Sequence, residues 1–349
     1  TVAHGLLIIW GYAVTAHTDV LNQTSVLVLS YPDVLAATVA GLLLLGVGVI
    51  SARAARARLR YETWYYLHFY TYLAVALAFS HQFSTGADFI DNLPARVLWS
   101  SMYLAVGALL LWYRLLVPVR RALRHRMRVS RVYPEGPGVV SVLITGRHLE
   151  ELGVEPGQFF RWRFLTRDSW WAANPFSLSA PAHPDGLRIT VKDLGEHSHR
   201  LRYLKPGTAV LAEGPYGAFT AGARTRPKVL LIGGGVGITP LRTLFETLPG
   251  RRGEVALIYR ASRPEDVLFH SELDSIAALR GTTVHYLIGA RRHGRPDPLS
   301  GRRLAALVPD IAQRDIYLCG PPGMTAAAIK GLRSAGVRRR QIHHETFEF

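Results

Sequence analysis

The sequence predicts a multidomain chain: a transmembrane helical bundle, then a small antiparallel β-barrel, then an α/β domain built on a parallel, doubly wound sheet. Three observations carry this expectation. Apolar residues concentrate before about residue 118. From Val129 onward, short alternating strands such as "GVVSVLI", "GQFFRWRF", "LRITVKD" and "TAVLAEGP" are separated by turn residues, the pattern of a small barrel. From "KVLLIG" to the end, buried strands alternate with helical stretches, the rhythm of a parallel sheet. The expected domains are residues 1–125, 126–225 and 226–349.

The first part is read as membrane-embedded because 49% of the residues are hydrophobic and the mean hydropathy is +0.13, high for a soluble enzyme. Four apolar segments can be drawn, Val2 to Val14, Asp33 to Ile50, Glu62 to His81 and Val97 to Val117. The first is short of the ~20 residues that a spanning helix needs. Because the chain begins with Thr1, that helix is expected to lack its N-terminal half, with earlier helices preceding it. Basic residues gather in "SARAARARLRY" and "VRRALRHRMRVSR", while the segments 15–32 and 82–95 hold no Lys or Arg. The positive-inside rule then makes the basic loops and the following domains cytoplasmic, in an integral protein of the plasma membrane with the lipid bilayer as a partner. The net charge of +16 follows in part from this topology, and no interleaving of basic and aromatic residues points to nucleic acid. The single cysteine, Cys319, excludes a disulfide framework or a cysteine-ligated iron–sulfur cluster built within this chain.

The third segment carries His68 and His81, thirteen positions or roughly 20 Å apart along a helix axis. Haem iron takes two axial imidazoles, and ionisable rings inside a membrane helix are costly unless something binds them. Thirteen steps also rotate the two rings some 140° apart on an ideal helix, so tilt or local rewinding has to bring them to one side. His4 and His17 in the first segment supply candidate partners.

With "AHGLLIIWGYA" and this histidine spacing, the N-terminal part resembles the ferric reductase and NADPH oxidase superfamily in its actinobacterial-type form. The resemblance implies b-type haem held by histidine pairs on two helices. On the family pattern His4 pairs with His81 at an outer haem, and His68 serves an inner haem whose partner precedes Thr1. The alternative uses only residues present and pairs His4 with His68 and His17 with His81. The first is preferred because His17 follows the Gly-Tyr-Ala at which the family helix ends.

In the barrel segment, "NPFSLSA", "KDLGEHS" and "EGPYGAF" occur in order. Together they resemble the ferredoxin-NADP reductase fold over roughly residues 126–349, which implies FAD. The flavin motif would lie at Asn174, Pro175, Phe176 and Ser177, with Phe176 packing on the isoalloxazine and Ser177 bonding its N5 edge. Lys192, Gly195 and Ser198 match the later motif, where small residues let backbone N–H groups approach the pyrophosphate. Asn174 stands where the family has Arg or His, which removes one charged contact and implies weaker flavin retention.

The stretch "KVLLIGGGVGITPLRTLFETL" reads as a buried strand, a glycine turn and a helix beginning near Pro240. Gly233, Gly234, Gly235 and Gly237 remove Cβ atoms where backbone must approach a pyrophosphate, with Thr239 and Pro240 opening the helix. This fits the family's Gly-x-Gly-x-x-Pro pattern and implies a Rossmann-like NAD(P) domain, with further helices around 270–280 and 301–308. Cys319, Gly320 and Pro321 in "CGPPGM" resemble the nicotinamide-side motif; a buried core thiol is the plainer reading of Cys319. Arg260 and Arg263, with Ser262 and Arg291, are placed to hold a 2′-phosphate, which favours NADPH over NADH. The terminal aromatic, Phe349, occupies the position that in the family covers the isoalloxazine.

The expected function is a membrane flavohaem oxidoreductase passing electrons from cytosolic NAD(P)H through FAD to haem b and an outer acceptor such as ferric iron, oxygen, quinone or a redox partner protein. Ser177, Cys319 and Phe349 are its expected catalytic residues. One alternative is a membrane-anchored ferredoxin reductase-like flavoprotein that reduces a soluble carrier without transmembrane transfer. Another is a haem-binding scaffold whose nucleotide domain only senses NADPH.

Overall fold

The computed structural model describes residues 2–52, 61–86, 88–89, 91–289 and 297–346. The chain divides into two compact units, Thr1–Tyr113 and Arg114–Phe349.

The first unit is helical: α1 Val2–Thr15, α2 Val20–Ser30, α3 Val34–Ser51, α4 Tyr61–His68, α5 Tyr70–Thr85 and α6 Leu93–Leu111. The stretch 15–32, expected to be an outer loop, holds α2. Its Asn22, Gln23, Thr24 and Ser25 mask the apolar periodicity, and Asp19 starts the helix by accepting from the Asn22 N–H at 2.9 Å. The helix expected from Glu62 to His81 is interrupted at Phe69. There the chain makes i to i−3 bonds, Phe69 N–H to Tyr66 O at 3.1 Å and Tyr72 N–H to Phe69 O at 3.0 Å, and Thr71 Oγ1 donates to the His68 carbonyl at 2.6 Å. These bonds tighten the backbone into a single turn between α4 and α5.

α3 packs on α4 and α5 through small residues, with Ala40 and Ala74 fully buried. Trp64 Nε1 donates to Ser51 Oγ at 3.2 Å, and Ser84 Oγ to the Pro32 carbonyl at 3.3 Å, so both ends of the pair are tied. Most other large apolar side chains of this unit are exposed, among them Leu7, Trp10, Leu21, Leu29, Leu42 and Leu104. Among the described residues two helices are long and apolar enough to cross a membrane, Val34–Ser51 and Leu93–His125. The second is distorted. A π-turn at Trp112–Leu116 separates α6 from α7, Val117–His125, because Pro118 has no N–H to continue the ladder.

The second unit holds a barrel and a nucleotide-type domain. The barrel strands are β1 Arg128–Gly136, β2 Val139–Thr145, β3 Phe159–Phe164, β4 Asn174–Ser177, β5 Leu187–Lys192 and β6 Val210–Tyr216, with α8 Glu196–Arg200 after β5. They form two antiparallel sheets, β1-β2-β5 and β4-β3-β6. Bridges Arg128 to Ala209 and Leu178 to Ile189 join the sheets at both seams and close the barrel. Phe160, Trp162, Phe164, Ile144 and Ile189 fill its interior.

The last domain is a parallel sheet in the order β11-β10-β7-β8-β9: β7 Val229–Gly234, β8 Val255–Ala261, β9 Val284–Ile288, β10 Asp315–Gly320 and β11 Ile342–Thr346. The helices α9 Ile238–Thr247, α10 His270–Arg280, α11 Gly301–Leu307 and α12 Pro322–Ser334 cover it. Every residue of β7 is buried, as a central parallel strand covered on both faces requires. The order reverses between β7 and β10, and ligands of such sheets bind outside the carboxyl ends at that reversal.

Phe219, just past β6, belongs to the core of the nucleotide domain, where its ring meets Tyr317 edge-on at 5.2 Å. The Tyr317 hydroxyl donates to the Thr220 carbonyl at 2.8 Å. Phe219→Ala is expected to lower the unfolding free energy by about 3–5 kcal/mol, the usual cost of emptying a buried aromatic site. Urea unfolding followed by near-UV circular dichroism measures it, and a loss below ~1 kcal/mol would show that the ring is not a core element.

Candidate functional site

The site forms where the barrel's shortest strand faces the first turn of the nucleotide domain. β4 pairs antiparallel with β3, Phe176 opposite Phe160 and Ser177 opposite Phe159, and Trp162 Nε1 fixes its backbone by donating to the Phe176 carbonyl at 2.9 Å. An open cleft is lined from the barrel by Pro175, Phe176, Ser177, Thr190, Val191 and Lys192, and from the nucleotide side by Val236 and Thr239. The Ser177 hydroxyl is buried and has no hydrogen-bond partner. A buried donor left unpaired costs about 1–3 kcal/mol, so a hydroxyl on the wall of a cleft fits a ligand that brings an acceptor.

Gly195 and Ser198 lie beyond Lys192, at the start of α8. The Ser198 hydroxyl accepts from the Leu194 N–H and donates to the Gly195 carbonyl, both at 2.9 Å, so it closes the turn. Asn174 begins β4, opposite Trp162, and is half-buried.

On the nucleotide side, β7 ends at Gly233 and Gly234, and a single 3-10 turn, Gly235–Gly237, leads into α9 at Ile238. Thr239 and Pro240 therefore sit inside the first helical turn, two residues deeper than a helix starting at Pro240 would put them. Thr239 Oγ1 donates back to the Val236 carbonyl at 3.0 Å. A Cβ at Gly237 would lie 2.5 Å from the Cys319 carbonyl oxygen and 2.7 Å from the Gly320 nitrogen. The turn after β7 and the turn after β10 are thus in backbone contact, which only glycine permits. Gly234 packs against the side chains of Met324 and Pro321. Gly235 adopts φ 54° with open space where a side chain would be. Beneath it the buried Tyr259 hydroxyl donates to the Gly235 carbonyl at 3.1 Å and accepts from the Leu268 N–H at 3.1 Å. Burial raises the Tyr259 phenol well above its ordinary range, so it stays a donor.

Cys319 is fully buried in the core cluster that contains Leu231, Ile238 and Tyr317, and it does not line the cleft. Burial, and then the nearby Glu345, push its thiol far up, so it is a neutral core group; its carbonyl is what meets the glycine turn.

Glu345 is the residue that sequence reasoning missed. It pairs in register with Cys319 across β10 and β11, and its Oε1 lies 3.7 Å from where a Gly217 Cβ would be, at the end of the barrel's β6. Oε2 is buried without a partner, and burial pushes the carboxyl up to about 7. The signal was an acid placed among histidines in the closing strand, overshadowed by the aromatics that follow it. Phe349 and Arg291 lie outside the described residues.

The two arginines placed to read a 2′-phosphate are engaged elsewhere. Arg260 donates to the carbonyls of Ala261, Leu287 and Gly289 and ties the ends of β8 and β9. Arg263 is exposed and paired with Asp266 at 3.0 Å and Glu265 at 3.4 Å.

In the helical unit, His4 is exposed on α1, and His81 is half-buried on α5. Thr85 Oγ1 is 3.1 Å from His81 Nδ1. His68 ends α4 with its ring stacked on Trp64 at 5.4 Å. His17 follows α1 with φ 49°.

Residues 1–79 match the family model of the ferric reductase like transmembrane component, and residues 231–330 that of the oxidoreductase NAD-binding domain. The glycine betaine monooxygenase reductase subunit of Chromohalobacter salexigens is 29% identical over 239 residues, 64% of this chain and 64% of that protein. An NADPH oxidoreductase of Mycobacterium tuberculosis is 33% identical over 202 residues, 55% of this chain and 52% of that one. This chain therefore spans less than two thirds of the length of these relatives. Among solved structures, the flavohaem-like FAD/NAD-binding domain of nitric oxide dioxygenase from Vibrio cholerae is similar with a TM-score of 0.53 and 26% identity, covering 64% of this chain and 99% of that one.

Glu345 generates a pH prediction. A carboxyl raised in the folded state from an ordinary 4.5 to about 7 holds its proton more tightly folded than unfolded. Stability from this group is therefore full below the unfolded value and is lost as pH rises towards the folded one. Glu345→Gln is expected to melt above the wild type at pH 8, and the gap should close by about pH 4.5. Parallel melting curves across that range would show that the carboxyl is not held in an apolar setting.

Proposed function

We propose that this chain, which joins a ferric reductase-like transmembrane component to an FAD/NAD-binding module of the ferredoxin reductase type, is a membrane flavohaem oxidoreductase that takes electrons from cytosolic NAD(P)H. The observation that carries this reading is the cleft in which the unpaired Ser177 hydroxyl faces Val236 and Thr239 of the glycine turn. It sets a flavin-type motif against a nucleotide-type motif, as a reductase must.

FAD, when bound, supplies the conversion between two-electron and one-electron transfer. Phe176 and Pro175 would flank its ring system, and Ser177 would satisfy its buried hydroxyl on the ring edge. Lys192 and the Gly195 to Ser198 turn would meet the phosphates. The N-terminus of α9, behind Gly235 and Gly237, would take the pyrophosphate of NAD(P)H. Gly320 and Pro321 would border the nicotinamide side, and Glu345 on the neighbouring strand, its carboxyl pushed up to about 7 by burial, would take up or release a proton beside them. Arg263 would exchange its partner Asp266 for a 2′-phosphate, which favours NADPH; Arg260 supports the loop behind it.

Haem b would sit in the helical unit, with His4 and His81 as one axial pair and His68 serving a second. The acceptor is ferric iron, oxygen or a redox partner on the outer side of a plasma membrane. A second reading, reduction of a soluble carrier without transmembrane transfer, is favoured by the names of the relatives, a monooxygenase reductase subunit and a monooxygenase reductase component.

An anaerobic absorption spectrum of the detergent-purified chain, before and after NADPH, tests the proposal. Flavin bleaching together with haem reduction is expected, and loss of the haem bands in His81→Ala. Flavin bleaching without haem reduction selects the second reading, and an unchanged flavin removes both. Arg263→Ala is expected to raise KM for NADPH roughly tenfold, the size of one charge-assisted hydrogen bond, with little change for NADH. Equal effects on the two nucleotides would show that Arg263 does not read the phosphate.

A further inference from the structure

Away from the cleft, one carboxylate is shared by two arginines from different domains of the second unit. Arg188, on β5 of the barrel, donates from Nη1 and Nη2 to the two oxygens of Glu272 at 2.7 and 2.8 Å. Arg242, on α9 of the nucleotide domain, donates from Nε to the same Glu272 at 2.7 Å and from Nη1 to Glu246 at 2.7 Å. Both arginine side chains are only 10% exposed. Arg188 Nη2 also reaches the Ser179 carbonyl at 2.8 Å, two residues past Ser177. Thr190, which lines the cleft, donates to Ser179 Oγ at 2.8 Å. An unbroken path of bonds thus runs from the strand of Ser177, through Glu272, to the helix that opens at the glycine turn.

The backbone is shaped for this contact. Glu272 lies in the first turn of α10, where a carboxylate also suits the helix dipole. The residue before that helix, Phe269, has φ 56°, a left-handed conformation that bulky side chains avoid. Its buried ring then lies under the Arg188 guanidinium, 4.8 Å from the centroid. Strain kept at one position while a carboxylate, a carbonyl and a ring converge on one guanidinium marks a contact that the fold holds in a single geometry.

We propose that Glu272 is a positioning residue for electron transfer from nicotinamide, a role that rests on the reductase reading above: it locks α9, and with it the glycine turn, at one distance and angle from β4. Hydride transfer needs reacting atoms about 3–3.5 Å apart, and a displacement of 1 Å costs on the order of a hundredfold in rate. A bidentate clamp between two nearly buried arginines and a carboxylate 33% exposed supplies that rigidity where a fully exposed ion pair would not. The Gly157 N–H bond to Thr243 Oγ1 at 3.1 Å and the burial of Phe219 in the nucleotide core join the domains independently. Loss of Glu272 therefore leaves them attached but free to turn.

The test is Glu272→Gln in the full chain, purified with its flavin. Single-turnover flavin reduction by NADPH is expected to slow at least tenfold, with loss of the nicotinamide–flavin charge-transfer absorbance and nucleotide affinity within about threefold of the wild type. Reoxidation of photoreduced flavin by ferricyanide, which needs no nicotinamide, should stay unchanged. Amide exchange across residues 155–158 and 176–179 should quicken, with or without flavin. Arg188→Lys, which keeps the charge but not the fork, should fall between the two, and it carries the same comparison if Glu272→Gln fails to fold. A reduction rate within twofold of the wild type overturns the proposal. So does an equal loss of both half-reactions with release of flavin, which would make Glu272 a support of the flavin site alone. If the wild-type chain itself is not reduced by NADPH, the functional reading fails, and the exchange rates still decide whether Glu272 is the clamp.

Discussion

Two strand ends have to meet backbone to backbone for this cleft to exist, and they meet at Gly237. A side chain there would collide with the carbonyl of Cys319 and the nitrogen of Gly320. Because β7 and β10 are neighbours in a parallel sheet, their exits lie on the same edge, and the reversal of strand order between them leaves a gap above that edge. The glycine turn fills the bottom of the gap without closing it. Val236 and Thr239 are carried to its rim, facing Ser177 of the barrel. Tyr259 holds the turn from beneath through the Gly235 carbonyl, and its burial keeps the phenol protonated for that task.

Cys319 and Glu345 share a register position on adjacent strands, and burial pushes both towards their uncharged forms. The cations nearby are committed to protein partners: Arg260 to three carbonyls, Arg263 to Asp266 and Glu265, and Arg188 and Arg242 to Glu272.

The helical unit obeys a different constraint. Large apolar side chains point outwards, and the contacts inside rely on small residues such as Ala40 and Ala74 and on hydrogen bonds from Trp64, Gln82 and Ser84. Packing without a hydrophobic drive between helices uses such close contacts and polar ties. The i to i−3 bonds at Phe69 break the helix between His68 and His81.

Four of the barrel strands, the strand and helix rhythm of the nucleotide domain and the glycine turn were legible because each rests on local chemistry: alternation, turn residues, and glycines that let two backbones touch; Asn174 to Ser177 was legible as a motif and not as a strand. The hidden helix Val20–Ser30 and the break at Phe69 were not, because polar residues masked one period and no proline or glycine announced the other. Lys192 and Thr239 were legible as motif positions, but that they line one cleft follows only from the folded barrel. Cys319 was placed by its motif, yet which of its atoms meets the glycine turn depends on which face of β10 it occupies. Glu345 and Glu272 look like ordinary acids in the sequence. The sequence by itself determined the barrel and nucleotide-domain pattern and the motif positions, since these follow from the side chains and backbone freedom of neighbouring residues. Only the tertiary structure decided that Glu345 loses its water and that Arg188 and Arg242 converge on Glu272 from 84 and 30 positions away, because desolvation and charge pairing are properties of the space that distant segments share.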